Sequence, residues 1–203
     1  MIDLKKQFKH LYTVSSKLPE IVEVPPFRYL LIDGSGDPNT AQEYQDALAA
    51  LYSLSYSLKF TFKKQGSDYP VMPLEGLWWV DDLSQFAYDD KSNWRWTMMI
   101  AQPNIVTQSA FEEARAQVNR KKDLPSLSKV RLETYHEGLS AQIMHVGPYS
   151  AEPPTIEKLH HYIEENGYQI AAKHHEIYLS DARRTAPDKL KTIIRYPVMR
   201  RQN

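Results

Sequence analysis

Glu176 lies in the run His174-His175-Glu176-Ile177-Tyr178-Leu179-Ser180-Asp181. Ile177, Tyr178 and Leu179 favour an extended strand. A carboxylate inside a strand is costly to bury unless something compensates it. With a period of two, Glu176 and Tyr178 share one face of such a strand. A carboxylate beside a phenol could activate water as a general base or hold a cation. Desolvation would raise the pKa of Glu176, whereas a cationic or polarised ligand would favour its charged form. Glu176 is therefore either a solvated edge residue, paired with His174, Lys173 or Arg183, or the polar centre of a ligand site.

The aromatic residues are the second chemical signal. The chain carries four Trp and thirteen Tyr, and Trp78-Trp79 and Trp94-Arg95-Trp96 fall in two segments that could pair as neighbouring strands. Alternation puts Trp94, Trp96 and Met98 on one face. His160-His161 and His174-His175 invite a metal reading, but adjacent residues diverge on a helix or a strand, so neither pair chelates alone. No His-x-x-x-His spacing is present, and no metal or other cofactor is expected. Asp33-Gly34-Ser35-Gly36-Asp37 lacks the lysine and spacing of a phosphate-binding loop and reads as a tight turn.

The elements that would position these residues fall into two similar halves. The first opens with a strand, Phe27-Arg28-Tyr29-Leu30-Leu31-Ile32, and a Gly-rich turn. Thr40-Ala41-Gln42-Glu43 matches a capping box, in which Thr and Glu satisfy free helix N–H groups. A helix through Leu58, strands at 74–80 and 94–100, and a short helix from about Ser109 to Val118 complete this half. The second half has a strand over Leu139–Gly147 and a helix from Pro153-Pro154-Thr155 through about Glu165, stopped by Asn166-Gly167. A short strand near Ile170, the strand bearing Glu176, and a helix from Thr185 through Ile193 follow. Phe8, Leu11 and Tyr12 suggest a short helix in an N-terminal arm. The last residues, Arg200-Arg201-Gln202-Asn203, are expected to fray.

The reading is thus an α+β fold with tandem duplicated strand-helix-strand-strand modules. It comprises an arm (1–24), a first repeat (25–122) and a second repeat (130–203). A single layer of this kind cannot bury both faces of its sheet. Two fused copies would leave a central ligand pocket between the repeats, with Trp96 roughly opposite Glu176 and Met98 opposite Tyr178.

Composition narrows the function. Net charge is zero and the sequence pI is about 7.1, which argues against direct nucleic-acid binding. There is no cysteine, so disulfides and thiol chemistry are excluded. No apolar run approaches the roughly 18 residues of a membrane span. The N-terminus lacks a signal-peptide core, and a cytoplasmic protein is expected.

The run His174 to Thr192 resembles the C-terminal signature of the GyrI-like small-molecule-binding family. His145-Val146-Gly147-Pro148-Tyr149-Ser150 looks like the turn after the first strand of that family's second repeat, and Trp94 to Pro103 resembles the matching part of the first. The resemblance implies an SHS2-like pair of repeats around a pocket. There a carboxylate, matched by Glu176, contacts a hydrophobic aromatic or cationic small molecule. Relatives fused to helix-turn-helix regions are multidrug-responsive regulators, and this chain has no room for such a region. It looks more like a stand-alone branch that hydrolyses cyclopropane-bearing, DNA-alkylating natural products. In that chemistry Glu176 would be the base, its pKa raised toward neutrality by an apolar pocket, and Tyr178 would orient water or donate a proton. Trp79, Trp94 and Trp96 would stack on a flat substrate, and Met98 would fill gaps beside it. His145 and Tyr149 flank the second-repeat turn as further candidate ligand contacts, with a structural role as the alternative for each. The other readings are a non-catalytic binder of hydrophobic cations and a module that inhibits a protein partner.

Overall fold

A computed structural model describes residues 1–81 and 90–202. Two compact units emerge: Met1–Leu4 with Phe27–Tyr135, and Lys5–Pro26 with His136–Asn203.

The first unit contains β2 (Phe27–Ser35), α3 (Gln42–Lys64), β3 (Leu74–Trp79), β4 (Arg95–Gln102), α4 (Gln108–Lys121) and β5 (Arg131–Tyr135). Its antiparallel strands run in the order β3-β4-β2-β5. Ala47, Ala50, Leu51, Leu54 and Leu58 recur at helical spacing and form the buried stripe of α3. The capping box does not form: Ala41 is the N-cap and makes no side-chain bond. Asp37 takes over the turn instead, its side chain accepting from the Asn39 N–H at 2.9 Å and its carbonyl from the Ala41 N–H at 2.7 Å. α4 runs beyond the expected span at both ends, and the Thr107 hydroxyl caps it by accepting from Ala110 N–H at 3.2 Å.

The second unit contains α2 (Lys9–Tyr12), β1 (Glu20–Val24), β6 (Gly138–Val146), α5 (Pro153–Glu165), β7 (Tyr168–Ile170), β8 (His174–Tyr178) and β9 (Lys191–Arg200). A four-residue helix, α1 (Leu4–Gln7), precedes α2. The strand order is β1-β6-β9-β8, with β7 also pairing β9. The N-terminal segment supplies a strand that sequence reading did not find: Glu20–Val24 pairs with Gly138–Gln142.

The expected helix from Thr185 through Ile193 is also corrected. Only Pro187–Lys189 forms a single 3-10 turn, and ten residues of strand follow. Thr192, Ile193, Ile194 and Tyr196 are β-branched or aromatic and prefer a pleated, half-buried surface. Arg200 and Arg201 are tied down rather than frayed, because Arg200 pairs with Tyr168 and Arg201 N–H donates to Gly167 C=O at 3.0 Å. Asn203 lies outside the described residues.

Candidate functional site

Cross-strand pairing assigns the faces of the second unit's sheet. Glu176 pairs with Ile194, which pairs with Ile143. Both isoleucines pack with Ile156, Leu159 and Ile163 of α5 in one apolar cluster. Glu176 therefore lies on the helix-covered face, only 9% exposed; it is not solvated, though it does pair with His174 as the edge reading expects.

Two groups hold it. His174 Nε2 is 2.7 Å from Glu176 Oε1, and Tyr178 OH donates to Oε2 at 2.7 Å. His174 Nδ1 is 2.6 Å from Tyr196 OH. A carboxylate only accepts, so His174 donates through Nε2. The His160 ring meets Tyr196 edge-on at 4.8 Å, and Tyr149, 40% exposed, meets Tyr178 edge-on at 5.8 Å.

Burial is the largest single influence on Glu176 and pushes its pKa up. The bond and charge of His174, then the bond from Tyr178, outweigh burial and hold it below the ordinary carboxylate value. This corrects the expectation of a pKa raised toward neutrality: the surroundings are not apolar but contain directed donors. Glu176 is ionised at neutral pH.

Of the remaining candidates in this unit, Tyr149 joins the group through Tyr178, and His145 does not contact Glu176 directly. His145 Nε2 donates to Pro148 C=O at 3.1 Å, and its Nδ1 accepts from the Thr155 hydroxyl at 2.9 Å. It thereby fastens the turn after β6 to the first turn of α5.

In the first unit, register separates the tryptophans. Trp96 pairs with Gly34 and with Trp78, and Met98 pairs with Ile32 and Gly76. On the same face, Gln102 reaches Ser55 of α3 at 3.5 Å. Trp96 and Met98 thus lie beneath the helix, both fully buried. The Trp96 ring covers Gly34, where a Cβ would stand 2.1 Å from the indole, so only glycine permits this packing. Trp94 meets Trp78 at 5.7 Å and lies under Lys91 at 4.9 Å. Trp79 pairs with Arg95 and faces the opposite side, together with Glu75. The residue that joins Trp94 and Trp96 is therefore Trp78. Sequence reading left it out because one step of register exchanges the two faces.

A family model for the GyrI-like small molecule binding domain matches residues 18–199. The chain belongs to this family. The crystal structure of an uncharacterized conserved protein from Listeria innocua is 40% identical to this GyrI-like domain. The match covers 98% of this chain and 100% of that one, with a TM-score of 0.92. A structure described as a hydrolase from Listeria innocua is 39% identical, again over 98% and 100% of the two chains, with a TM-score of 0.86. The EcmrR C-terminal domain shares the fold at 12% identity, covering 91% of this chain and 98% of that one, with a TM-score of 0.58. A comparison with curated proteins gives no match.

The GyrI-like domain holds a second polar cluster on the other face of β8. His175 Nδ1 is 2.8 Å from Glu137 Oε1, and Arg195 Nη1 donates to Glu137 Oε2 at 3.1 Å. Arg195 also donates to Gln142 Oε1 and to Leu11 C=O, each at 3.0 Å. Burial pushes Glu137 up, but the charges and bonds of His175 and Arg195 lower its pKa to about 2. Sequence reading missed Glu137, Glu152 and Tyr196. The only local hint was a glutamate directly preceding Pro153-Pro154. Among the described residues, no helix is long and apolar enough to cross a membrane, and no cluster of three or more His, Asp or Glu could hold a metal.

Proposed function

We propose that this protein is a hydrolase of electrophilic, cyclopropane-bearing small molecules of the duocarmycin type, with Glu176 as its base. The carrying observation is a buried carboxylate that accepts hydrogen bonds from His174 and Tyr178. The 39%-identical Listeria hydrolase and the resemblance to the stand-alone branch support the reaction class.

In the proposed reaction, water attacks the cyclopropane methylene as Glu176 Oε takes its proton. A carbon–oxygen bond forms and a cyclopropane carbon–carbon bond breaks. The released electron pair moves through the conjugated dienone to its oxygen, which becomes a phenolate. The phenolate takes a proton from solvent, and Glu176 later returns its own to solvent, so the net change is addition of one water. The lowered pKa makes Glu176 a modest base but keeps it in the required ionised state at neutral pH. Tyr178 and His174 hold the carboxylate in place, and Tyr149, edge-on to Tyr178, offers an exposed ring to a flat substrate.

The test is hydrolysis of a cyclopropane-containing duocarmycin-like compound by wild type and Glu176→Gln. Retained turnover in the variant removes Glu176 from the mechanism. The retained charge on Glu176 also favours a second reading, a binder of hydrophobic cations. In that case neither protein turns the compound over, and a lipophilic cation binds saturably to wild type and weakly to the variant.

A further inference from the structure

Tyr56 and Phe60 are one helical turn apart on α3, so their rings leave the same side of the helix. The rings lie against one another, with centroids 6.1 Å apart and planes inclined by 26°. Both stay about half exposed, at 47% and 51%, while the apolar stripe of the same helix is fully buried. Their mutual contact recovers only part of the burial that two aromatic rings can make. Paired apolar side chains left in water mark an interaction surface when polar groups rim them.

Such a rim is present. Tyr56 and Phe60 line a groove of about 730 Å³ between α3 and α4, together with Lys63, Lys64, Lys121 and Lys122. Among the described residues no carboxylate lines it. Lys122 donates to the Ser53 hydroxyl at 3.1 Å, and Asp68, just beyond the end of α3, is taken by Lys59 at 2.7 Å. Lys63, Lys64 and Lys121 lie in the last turns of their helices, where a cation complements the helix dipole. Each helix end carries roughly half a negative charge, so four ammonium groups leave a positive excess. The dipoles account for lysines at these positions but give the two rings beside them no role.

An occupant of this groove must bring negative charge to the rim and an apolar group to the rings. An acidic polypeptide segment with an aromatic or aliphatic side chain brings both. Nucleic acid suits the groove less well, because the rings rest on each other instead of standing apart to receive a base, and the whole chain has no net positive charge.

We propose that the groove between α3 and α4 is a docking site for an acidic segment of a protein partner. An apolar side chain of that segment packs on Tyr56 and Phe60, and its carboxylates meet Lys63, Lys64, Lys121 and Lys122. The apolar anchor supplies most of the affinity, since exposed ion pairs contribute little. The lysines set orientation and speed of encounter. This site is separate from Glu176 and does not depend on turnover.

Selection of a random peptide display library on the immobilised full-length protein tests this. Acidic sequences containing Phe, Trp or Leu should be enriched, and a synthetic peptide of the enriched sequence should bind wild type saturably. Tyr56→Ser/Phe60→Ser should weaken that binding by about tenfold or more, the loss typical of a central aromatic anchor. Lys63→Glu/Lys121→Glu should also weaken it at low salt, by a factor that shrinks as salt screens the rim. All four side chains are exposed, so both variants should keep the wild-type circular dichroism spectrum and unfolding midpoint. Failure to enrich acidic sequences overturns the proposal, as does wild-type affinity in either folded variant. Oligothymidylate that binds more tightly than the peptide, and is lost with the same substitutions, overturns it in favour of single-stranded nucleic acid.

Discussion

Two buried glutamates flank β8, and they are built for opposite ends. Glu137 meets Arg195 and His175 on the face that also engages the N-terminal segment through Leu11. Glu176 meets His174 and Tyr178 on the face covered by α5. Glu137 is matched by the guanidinium at its side and spanned by bonds to distant parts of the chain. Glu176 has no such fixed match: its charge is supported by bonds from neighbouring side chains, and a ligand could still add to it. A carboxylate locked to a guanidinium is a fastener, whereas one held by a histidine and a phenol can still take up a proton. One strand presents both, because adjacent residues point to opposite faces.

Substitutions should separate the two. Glu176→Gln should reduce hydrolysis by ~10²–10⁴-fold, the usual cost of removing a general base, and leave the midpoint of thermal unfolding nearly unchanged. Arg195→Met strands Glu137 in the interior, and breaking a buried pair typically costs about 3–5 kcal/mol. In a chain of this size that lowers the unfolding midpoint by roughly 10 °C. Calorimetry on both variants beside turnover assays would break the comparison if Glu176→Gln lost as much stability as Arg195→Met.

Acid should unfold the protein through the fastener. The folded-state pKa of Glu137 is about 2, depressed from an ordinary value of 4.5. A depressed carboxylate contributes its stability in full above the unfolded value and loses it as pH falls through the folded one. Urea midpoints should therefore decline between those two values in wild type. The decline should be shallower in Glu137→Gln, whose overall stability is lower. His174→Phe is the mildest test. It removes a bond that keeps Glu176 ionised, so the Glu176 pKa rises and the acid limb of turnover moves to higher pH. An acid limb that stays in place would show that His174 does not tune the base.

Much of this arrangement was legible in the chain. A carboxylate beside Ile177 and Tyr178 in a strand reads as anomalous without any structure, and the period of two already pairs it with Tyr178. The helix after Pro153-Pro154 and its stop at Asn166-Gly167 were equally plain, being set by local chemistry. Glu137 was not legible, because it lies in the turn between β5 and β6 and resembles any solvated loop residue. Its partner Arg195 is 58 residues away in sequence. Arg195 also lies in a strand whose start was read as helix, since Pro187-Asp188-Lys189 is a reasonable helix opening. Glu152 is opaque on a smaller scale: a glutamate before two prolines looks like a helix cap, yet its side chain is buried and makes no cap bond. The faces of the tryptophans were not legible for another reason. Composition locates the aromatic residues, but only pairing decides which face each one takes.

His145 has a consequence beyond packing. Its two ring nitrogens tie Pro148 and Thr155 together, and Tyr149 and Glu152 lie between those anchors. The segment carrying the exposed ring and the second carboxyl is therefore ordered when the protein folds. The entropy of fixing it is lost at that stage, so under the proposed function a ligand packing against Tyr149 would keep more of its contact energy as affinity.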